Sequence, residues 1–239
     1  MSTIIYTRYG NPALFSVSAE LTKSLGWERV AMANTSADGY LQSIFRQSPT
    51  VKWIINIDDD AFLTRPESIK ELMAYMEAHD YDYCGIGDGA NNTIRWIYNP
   101  CSMNPFFNIF HMERLRAKID FTKPIGIPWN TDLKSLSPPW IPDRPEISVE
   151  QIQWIPNKEP YYPFFFHLLR DCKPLFLNGT TWKDGITSIL FDHRAQPFLY
   201  HSWFARLYGR GPSPFGEDRT NKERIEHLIE YVRGQVVTL

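Results

Sequence analysis

An apolar run that ends in three consecutive aspartates constrains the fold of this chain most strongly. The segment 51–57, Val-Lys-Trp-Ile-Ile-Asn-Ile, is nearly continuous in β-forming residues, and Asp58, Asp59 and Asp60 follow it directly. Such a run, with little apolar–polar alternation, is typical of a strand that is covered on both faces. The sequence therefore predicts a buried strand in a sheet that carries helices on both sides.

Strand-like and helix-like segments alternate around this strand. Short β-forming runs stand at 3–6, 29–33 and 81–86, and residues at helical spacing separate them. Pro12 suits the start of the first helix, and Thr64 to Glu67 resembles a capping box before a later one. This alternation predicts an α/β fold, a single Rossmann-like domain with a mostly parallel central sheet and flanking helices. Because ligands of such sheets bind beyond the carboxyl ends of the strands, the three aspartates are expected at the site.

The second half of the chain has a different character. The segment 124–163 is rich in proline and aromatic residues, and long structured loops of this kind usually carry function. A helix around 164–169, a strand at 174–177 and a final helix opened by a capping box at 220–223 are expected after it. Five aromatic residues are candidates either for a platform that stacks against a sugar acceptor or for the core: Trp129, Trp140, Trp154, Tyr161 and Tyr162.

Length and composition limit the domain count and the partners. The 239 residues, of which 43% are hydrophobic, suffice for one domain over 1–239 and are too few for two ordinary ones. A net charge of −2 without a long charged run predicts no nucleic-acid partner. The three cysteines lack zinc-ligand spacing and favour a reducing compartment. We see no signal-peptide pattern and no apolar stretch of about 20 residues, so we expect a cytoplasmic protein without a transmembrane segment, for which peripheral membrane contact stays open.

The aspartate cluster predicts a cation site. Adjacent carboxylates repel one another, and a divalent cation such as Mg²⁺ or Mn²⁺ relieves this by taking oxygen ligands from one or two carboxylates and from phosphates. In an extended backbone Asp58 and Asp60 point to the same side. Two other interpretations are open: a solvated acidic turn, and a calcium loop of the EF-hand type, which would require a glycine and flanking helices that are missing here.

Two segments resemble a known family. The segment 54–62, Ile-Ile-Asn-Ile-Asp-Asp-Asp-Ala-Phe, resembles the DXD segment of GT-A glycosyltransferases. The segment 34–39, Asn-Thr-Ser-Ala-Asp-Gly, resembles the turn that these enzymes carry after their second strand, with Asn34 in place of the usual first carboxylate. The resemblance implies a GT-A-like fold in which 1–100 form the nucleotide-sugar-binding half and 101–239 form the acceptor-binding half with the C-terminal helix.

The resemblance also implies roles for individual residues. Asp58 and Asp60 would bind Mn²⁺ (or Mg²⁺), and His201 would complete the metal site, with His193 as its rival. His111 and His167 are interpreted as structural. The residues expected to contact the nucleotide-sugar are Thr7, Arg8, Tyr9, Asn34, Asp38, Asp58 and Asp59.

A catalytic base is expected at the start of the helix near 161–169. By the resemblance, a carboxylate there deprotonates the acceptor hydroxyl in inverting enzymes, and Glu159 matches this position in part. A carboxylate at a helix N-terminus is equally explained by the helix dipole. A retaining enzyme would need no such base. The other candidates for the base are Asp132, Asp143, Glu146 and Glu150.

These observations predict a metal-dependent glycosyltransferase (a hexosyl- or pentosyltransferase). It would transfer a sugar from a nucleoside-diphosphate sugar, with UDP expected before GDP, to a glycan or another hydroxyl acceptor. The segment 206–212 is a candidate for a basic loop that closes over the diphosphate. The alternatives are a metal-dependent nucleotidyl or phosphoryl transferase, which also uses paired aspartates, and a non-catalytic carbohydrate-binding module.

Overall fold

The computed structural model describes residues 2–47, 50–90, 102–126, 159–205, 208 and 221–236. Within them lie ten strands and six α-helices, with a short 3-10 helix after the first α-helix. The strands are β1 (Thr3–Tyr9), β2 (Glu28–Ala33), β3 (Trp53–Ile57), β4 (Ala61–Leu63), β5 (Tyr83–Gly87), β6 (Met103–His111), β7 (Pro174–Leu177), β8 (Gly179–Thr181), β9 (Ser188–Phe191) and β10 (Pro197–His201). The helices are α1 (Pro12–Leu21), α2 (Ala37–Gln47), α3 (Glu67–Ala78), α4 (Met112–Lys118), α5 (Tyr162–Asp171) and α6 (Asn221–Val236).

The central sheet has six strands in the order β2-β1-β3-β6-β5-β7. The pairs β1–β2, β1–β3 and β5–β7 are parallel, whereas β6 is antiparallel to both of its neighbours. Five of the six strands therefore run in one direction, and β6 runs in the opposite direction. The predicted α/β class with a mostly parallel central sheet and flanking helices is confirmed.

Burial on both faces explains the uninterrupted apolar run of β3. Ile54 packs in a core with residues of α2, α4 and α5. Trp53, Ile55 and Ile57 point the other way, into a core with α3 and with residues of the second sheet. Since all five residues of β3 are buried, no face of this strand selects for polar side chains. Asn56 is the one polar residue, and the hydroxyl of Tyr40 on α2 donates to its Oδ1 at 2.5 Å.

A smaller antiparallel sheet covers one end of the central sheet. Its order is β4-β10-β9-β8, and β4 follows the aspartates directly. The chain therefore leaves the central sheet at Ile57, turns through the three aspartates and enters the second sheet at Ala61. A third core joins α1 and α6 to the back of this second sheet through Phe62 and Tyr200.

Three local expectations need correction. Residues Thr7 to Tyr9, expected in a turn after the first strand, belong to β1 itself. Thr64 does not cap α3: its amide donates to the carbonyl of Phe198 at 2.9 Å, and Pro66 precedes the helix without a side-chain capping bond. Strand β6, whose nine residues are buried, was not among the strands predicted from β-forming runs; the segment 99–104, which overlaps its start, was only likened to the donor-sugar strand region of the resembled family.

Other expectations fall outside the described residues, and they stay predictions. They are the three tryptophans of the 124–163 segment (Trp129, Trp140, Trp154), the alternative bases (Asp132, Asp143, Glu146, Glu150), Thr220 of the last capping box, and the 206–212 loop apart from Tyr208. Among the residues that the structure does describe, no helix is both long and apolar enough to cross a membrane.

Candidate functional site

A cleft of about 780 Å³ opens where β1 and β3 end and where the second sheet begins. The three aspartates lie at its floor, between residues from both halves of the chain. This is the edge at which ligands of parallel α/β sheets bind. Its other described lining residues include Arg8, Tyr9, Gly10, Asn11, Asn34, Thr35, Ser36, Asn104, Phe106, Glu159, Tyr161, His201, Trp203 and Tyr208.

Asp58 is a buried carboxylate with one partner. Its backbone amide continues the ladder of β3 by donating to the carbonyl of Phe106 at 3.0 Å. Nη2 of Arg8 donates to its Oδ2 at 2.6 Å, whereas its Oδ1 is buried and has no hydrogen-bond partner among the described residues. Burial raises the pKa of Asp58, and the charge of Arg8 opposes that rise. A buried oxygen with no donor is unusual in proteins and often marks a place that a ligand completes.

The side chain of Asp59 binds the backbone of the segment between β1 and α1. Its Oδ2 accepts from the amides of Gly10 and Asn11, both at 2.9 Å. Asn11 in turn caps α1, since its Oδ1 accepts from the amide of Ala13 at 2.9 Å. Burial, followed by the charge of Asp60, raises the pKa of Asp59 to about 7, while the two amide donors oppose that rise. Asp59 therefore joins the turn after β3 to the start of α1.

Asp60 and His201 face one another across the two strands of the second sheet. Their backbones are neighbours, because His201 pairs with Ala61 in the β4–β10 ladder and the amide of Ser202 donates to the carbonyl of Asp60 at 2.9 Å. Nε2 of His201 lies 3.3 Å from Oδ1 of Asp60. Nδ1 of His201 is buried and has no hydrogen-bond partner within the described chain. The position of this histidine relative to the aspartates is thus set by strand register.

The ring of His201 is fixed by aromatic neighbours. It stacks on Phe106, with ring centroids 3.8 Å apart and an interplanar angle of 6°. Trp203 packs edge-on against the same ring at 4.3 Å and donates its indole N–H to Ser188 at 2.8 Å. A histidine held in this way loses little rotamer freedom when it binds a ligand.

A buried arginine supports the segment that follows His201. Arg224 of α6 donates to the carbonyl of Trp203 at 2.8 Å and to the hydroxyl of Ser202 at 3.1 Å. Its guanidinium also contacts Asp184 at 3.2 Å and Asn221 at 2.9 Å. The last described helix therefore holds the strand end that carries His201.

Glu159 and Tyr161 line the cleft from the segment that leads into α5. The hydroxyl of Tyr161 donates to Oδ1 of the buried Asp88 at 2.7 Å, and that of Tyr162 donates to Oδ2 at 2.5 Å. Asn104 adds a third bond to Asp88 at 2.9 Å. Asp88, after β5, thus ties the start of α5 to the start of β6 and holds the wall on which Glu159 stands.

The cleft has an acidic lining. Its described lining residues carry four carboxyl groups (Asp58, Asp59, Asp60 and Glu159) against the guanidinium of Arg8 and the imidazole of His201. The Asp58 carboxylate raises the pKa of Arg8, so this side chain stays charged. A cavity with this balance repels an anionic ligand unless a further cation accompanies it.

The residues predicted from sequence fall into two groups. The structure brings Arg8, Tyr9, Asn34, Glu159, His201 and the three aspartates into one cleft. Thr7 and Asp38 are not among the described lining residues: Thr7 is buried beneath Arg29, and Asp38 lies in the first turn of α2. The other histidines lie elsewhere, with His193 stacked on Tyr75, His111 paired to Glu77 at 2.9 Å and His167 bonded to Gly126.

Other residues of the site escaped the sequence analysis. Asn11, Phe106, Asp88 and Arg224 each fix a side chain or a turn of the cleft through contacts between distant segments. Asp88 follows the Gly-Ile-Gly end of a predicted strand, and its position at a strand end is the one signal in the sequence that points to a role in the site. The other three carry no signature that distinguishes them from ordinary core or capping residues.

The donor set fits a hard divalent cation that is shared with a ligand. Among the described residues no group of three or more His, Cys, Asp or Glu side chains is arranged to hold a metal ion by itself. Mg²⁺ in nucleotide sites is commonly held by one or two carboxylates together with phosphate oxygens, and Asp58 and Asp60 offer that number. The unpartnered atoms Asp58 Oδ1 and His201 Nδ1 are compatible with such a site.

Comparisons with known proteins place the chain near two solved structures. It resembles the A197 protein from STIV, at 12% identity and a TM-score of 0.45, over 83% of this chain and 94% of that one. It also resembles a glycosyltransferase involved in the glycosylation of the major capsid of PBCV-1, at 16% identity and a TM-score of 0.36, over 60% of this chain and 79% of that chain. No family model and no curated protein matches the sequence. At these TM-scores neither likeness bears on function.

Proposed function

We propose that the protein is a glycosyltransferase that binds a nucleoside-diphosphate sugar together with Mn²⁺ or Mg²⁺ and transfers the sugar to a hydroxyl acceptor. The observation that carries this proposal is the cleft at the carboxyl ends of β1 and β3, where the buried Asp58 leaves one oxygen unpartnered beside Asp60 and His201. UDP is the expected nucleotide, and a glycan is the expected acceptor.

In this proposal Asp58 and Asp60 hold the cation together with phosphate oxygens of the ligand, and His201, 3.3 Å from Asp60, completes the metal site once the cation is bound. A cation held there would supply positive charge that neutralises the diphosphate and stabilises the departing nucleoside diphosphate. Arg8 pairs with a phosphate oxygen, for which a guanidinium is well suited. Tyr9, whose ring packs 4.9 Å from that of Phe15, offers a face for the base. Asn34, whose amide donates to the carbonyl of Tyr9 at 3.1 Å, stands beside it.

Glu159 is the proposed base if the reaction inverts the anomeric carbon. Its carboxylate accepts the proton of the acceptor hydroxyl as the hydroxyl oxygen bonds to the anomeric carbon. The bond from that carbon to the diphosphate oxygen breaks, and the nucleoside diphosphate leaves with the electron pair. Asp88, through Tyr161 and Tyr162, holds the wall that carries Glu159.

Calorimetric titration tests the donor half of the proposal. UDP and GDP are titrated into the protein with Mn²⁺ and then with a chelator. Binding of one nucleotide that requires Mn²⁺ supports the proposal, and a panel of its sugar conjugates then identifies the donor. If neither nucleotide binds with Mn²⁺, the proposal is wrong.

A nucleotidyl or phosphoryl transferase would use the same aspartates, so binding alone does not separate it. The products do: glycosyl transfer or hydrolysis releases the nucleoside diphosphate, whereas nucleotidyl transfer releases pyrophosphate or a sugar phosphate. A carbohydrate-binding module is disfavoured, because such modules are typically β-sandwiches and this sheet carries helices on both faces.

A further inference from the structure

The pair formed by Arg8 and Asp58 has a feature that the proposed function does not use. Arg8 stands near the end of β1 with 28% of its side chain exposed, and its Nη2 lies 2.6 Å from a carboxylate whose side chain is only 8% exposed. The guanidinium therefore reaches from the cleft into the protein to meet Asp58. It leaves the other carboxylate oxygen, Oδ1, without a hydrogen-bond partner in the part of the chain that the structure describes.

The charge balance explains why this pair forms. A buried carboxylate without a counter-ion is strongly unfavourable, because the protein does not replace the solvation that the charge has in water. Among the described cleft residues Arg8 is the one side chain with a permanent positive charge, and it also attracts Asp60. Arg8 thus occupies the electrostatic role that a divalent cation would take at the same carboxylate.

We propose that Arg8 and a divalent cation compete for Asp58. In the ligand-free cleft Arg8 is the counter-ion of Asp58, so the cation alone binds weakly. When a diphosphate arrives with the cation, the guanidinium leaves Asp58 and pairs with phosphate oxygens. This last step rests on the proposed function, whereas the competition for Asp58 does not.

The exchange makes the two ligands cooperative. Asp58 passes from the guanidinium to the cation, and Arg8 passes from Asp58 to the diphosphate, so neither side chain is left without a counter-ion. Each ligand removes the obstacle to the other, and the coupling free energy is the same in both directions. The cleft would therefore retain neither the free cation nor the metal-free nucleotide strongly.

The test measures Mn²⁺ binding without any nucleotide, by electron paramagnetic resonance of free Mn²⁺ or by calorimetry, slightly above neutral pH. Arg8→Met removes the competing charge, and we expect it to bind Mn²⁺ about tenfold more tightly than the unmodified protein, within the usual range of coupling factors. Arg8→Lys keeps a charge and should remain close to the unmodified protein. Arg8→Gln serves as a second neutral variant if Arg8→Met does not fold.

Arg65→Met is the matched control. Arg65 has 29% of its side chain exposed and lies 3.6 Å from the fully buried Asp192, so it forms a pair of the same kind outside the described lining of the cleft. Its loss should leave Mn²⁺ affinity unchanged. Tighter Mn²⁺ binding in both methionine variants would reveal a nonspecific charge effect and would overturn the inference.

The second arm adds UDP, or pyrophosphate as a simpler diphosphate. In the unmodified protein Mn²⁺ and the diphosphate should strengthen each other, and in Arg8→Met this cooperativity should shrink about tenfold. Equal or weaker Mn²⁺ binding by the neutral Arg8 variants overturns the inference, whatever nucleotides bind. If the neutral Arg8 variants bind Mn²⁺ more tightly but no variant binds a diphosphate, Arg8 remains the competitor for Asp58 and the proposed function is wrong.

Discussion

Three adjacent aspartates perform three different tasks in this protein. Asp58 is buried against Arg8, Asp59 binds two backbone amides, and Asp60 faces His201. The separation follows from the local backbone, because the chain leaves one sheet and enters another within these residues. Identical side chains therefore differ in burial and partners, and substitutions should separate their roles.

Substitution of Asp60 should weaken ligand binding, whereas substitution of Asp59 should lower the stability of the protein. Asp60→Asn keeps the shape of the side chain and removes a carboxylate that faces His201 in the cleft, so Mn²⁺-dependent nucleotide binding should fall about tenfold or more while the melting temperature stays near its original value. Asp59→Ala deletes the acceptor of two amides and should cost about 1.5–3 kcal/mol of stability. Thermal unfolding and calorimetry on both variants check this. Normal nucleotide binding by Asp60→Asn would contradict the assigned role.

His201 should contribute to cation binding. His201→Ala removes the side chain nearest to Asp60 and should weaken Mn²⁺-dependent nucleotide binding by about tenfold or more. His193→Ala is the control, because His193 stacks on Tyr75 outside the described lining of the cleft. Calorimetry with Mn²⁺ and UDP distinguishes them. An unaltered affinity would make His201 a structural residue.

Substitution of Glu159 should slow sugar transfer without changing the binding of the donor nucleotide. Glu159→Gln keeps the shape of the side chain but removes its basicity, so transfer by an inverting enzyme should fall about 10²–10⁴-fold. The affinity for the nucleotide with Mn²⁺ should not change, because Glu159 is not among the residues that we propose hold the nucleotide or the cation. A sugar-transfer assay with a matched calorimetric titration checks both statements. An unchanged transfer rate removes Glu159 as the base.

At the scale of elements, close packing between strands limits substitution most tightly at β5 and β6. A Cβ atom at Gly85 would lie 2.5 Å from Nδ2 of Asn108 and 2.9 Å from Sδ of Met103. Both neighbours are buried and belong to the strand that supplies Asn104 and Phe106 to the cleft. The absence of a side chain at Gly85 therefore lets β6 approach β5.

Gly85→Ala should destabilise the protein by about 1–3 kcal/mol, because overpacking in a well-packed core forces side chains and backbone to shift. Gly234→Ala in α6 is the control: an added Cβ meets nothing within 4 Å, and alanine favours a helix over glycine by about 0.5–1 kcal/mol. Chemical denaturation measures both changes. A Gly85 variant as stable as the original chain would show that β6 adjusts freely.

The sequence predicts an element correctly where one strong local pattern dominates. It does not predict an element whose formation depends on packing against distant segments. The apolar run of β3, the helix that starts at Pro12 and the strand β7 were all anticipated, because length and composition favour a single structure there. Strand β6 contains Pro105 and two asparagines, which normally disfavour a central strand. The register of β5 and β6 shifts in this stretch, and Asn56 bonds both to Asn108 at 3.2 Å and to the carbonyl of Pro105. Those compensating bonds come from another strand and are invisible in the local sequence.

The same limit applies to the site. The aspartates, Arg8 and His201 stand at strand ends, so the α/β pattern suffices to bring them to one edge. Asp88 and Arg224 act through residues that are distant in sequence, and their burial depends on the completed fold. Asp59, expected to contact the ligand, lines the cleft and also accepts from two backbone amides, which the sequence did not indicate because the turn after β3 meets the start of α1 only in the completed fold.

At the scale of the whole molecule, α6 connects the third core to the site. Ile225 and Leu228 pack with Phe62 and Tyr200 of the second sheet, while Arg224 bonds to the residues after His201. The helix thus supports the second sheet from behind the cleft. Damage to its buried arginine should affect both stability and the site.

Arg224→Met should cost about 3 kcal/mol or more, because it leaves Asp184, the Trp203 carbonyl and nearby polar groups without their buried partner. Arg233→Met on the same helix is the control: its pair with Glu20 is solvent-exposed, and losing it should change stability by less than about 1 kcal/mol. Urea unfolding of both variants gives the comparison. Similar costs for the two would contradict the proposed support by α6.

The pairing of β4 with β10 also has a kinetic consequence. Asp60 and His201 are held together by this ladder, although they are far apart along the chain. Bringing such distant segments together costs a large loop-closure entropy before any contact stabilises them, so these contacts tend to form late in folding. A refolding chain can bring Arg8, Asp58 and Asp59 together through the β1–β3 pairing before His201 arrives. During refolding, the burial of the aspartates should therefore precede recovery of the complete cleft, and the delay between the two would time the docking of the second sheet.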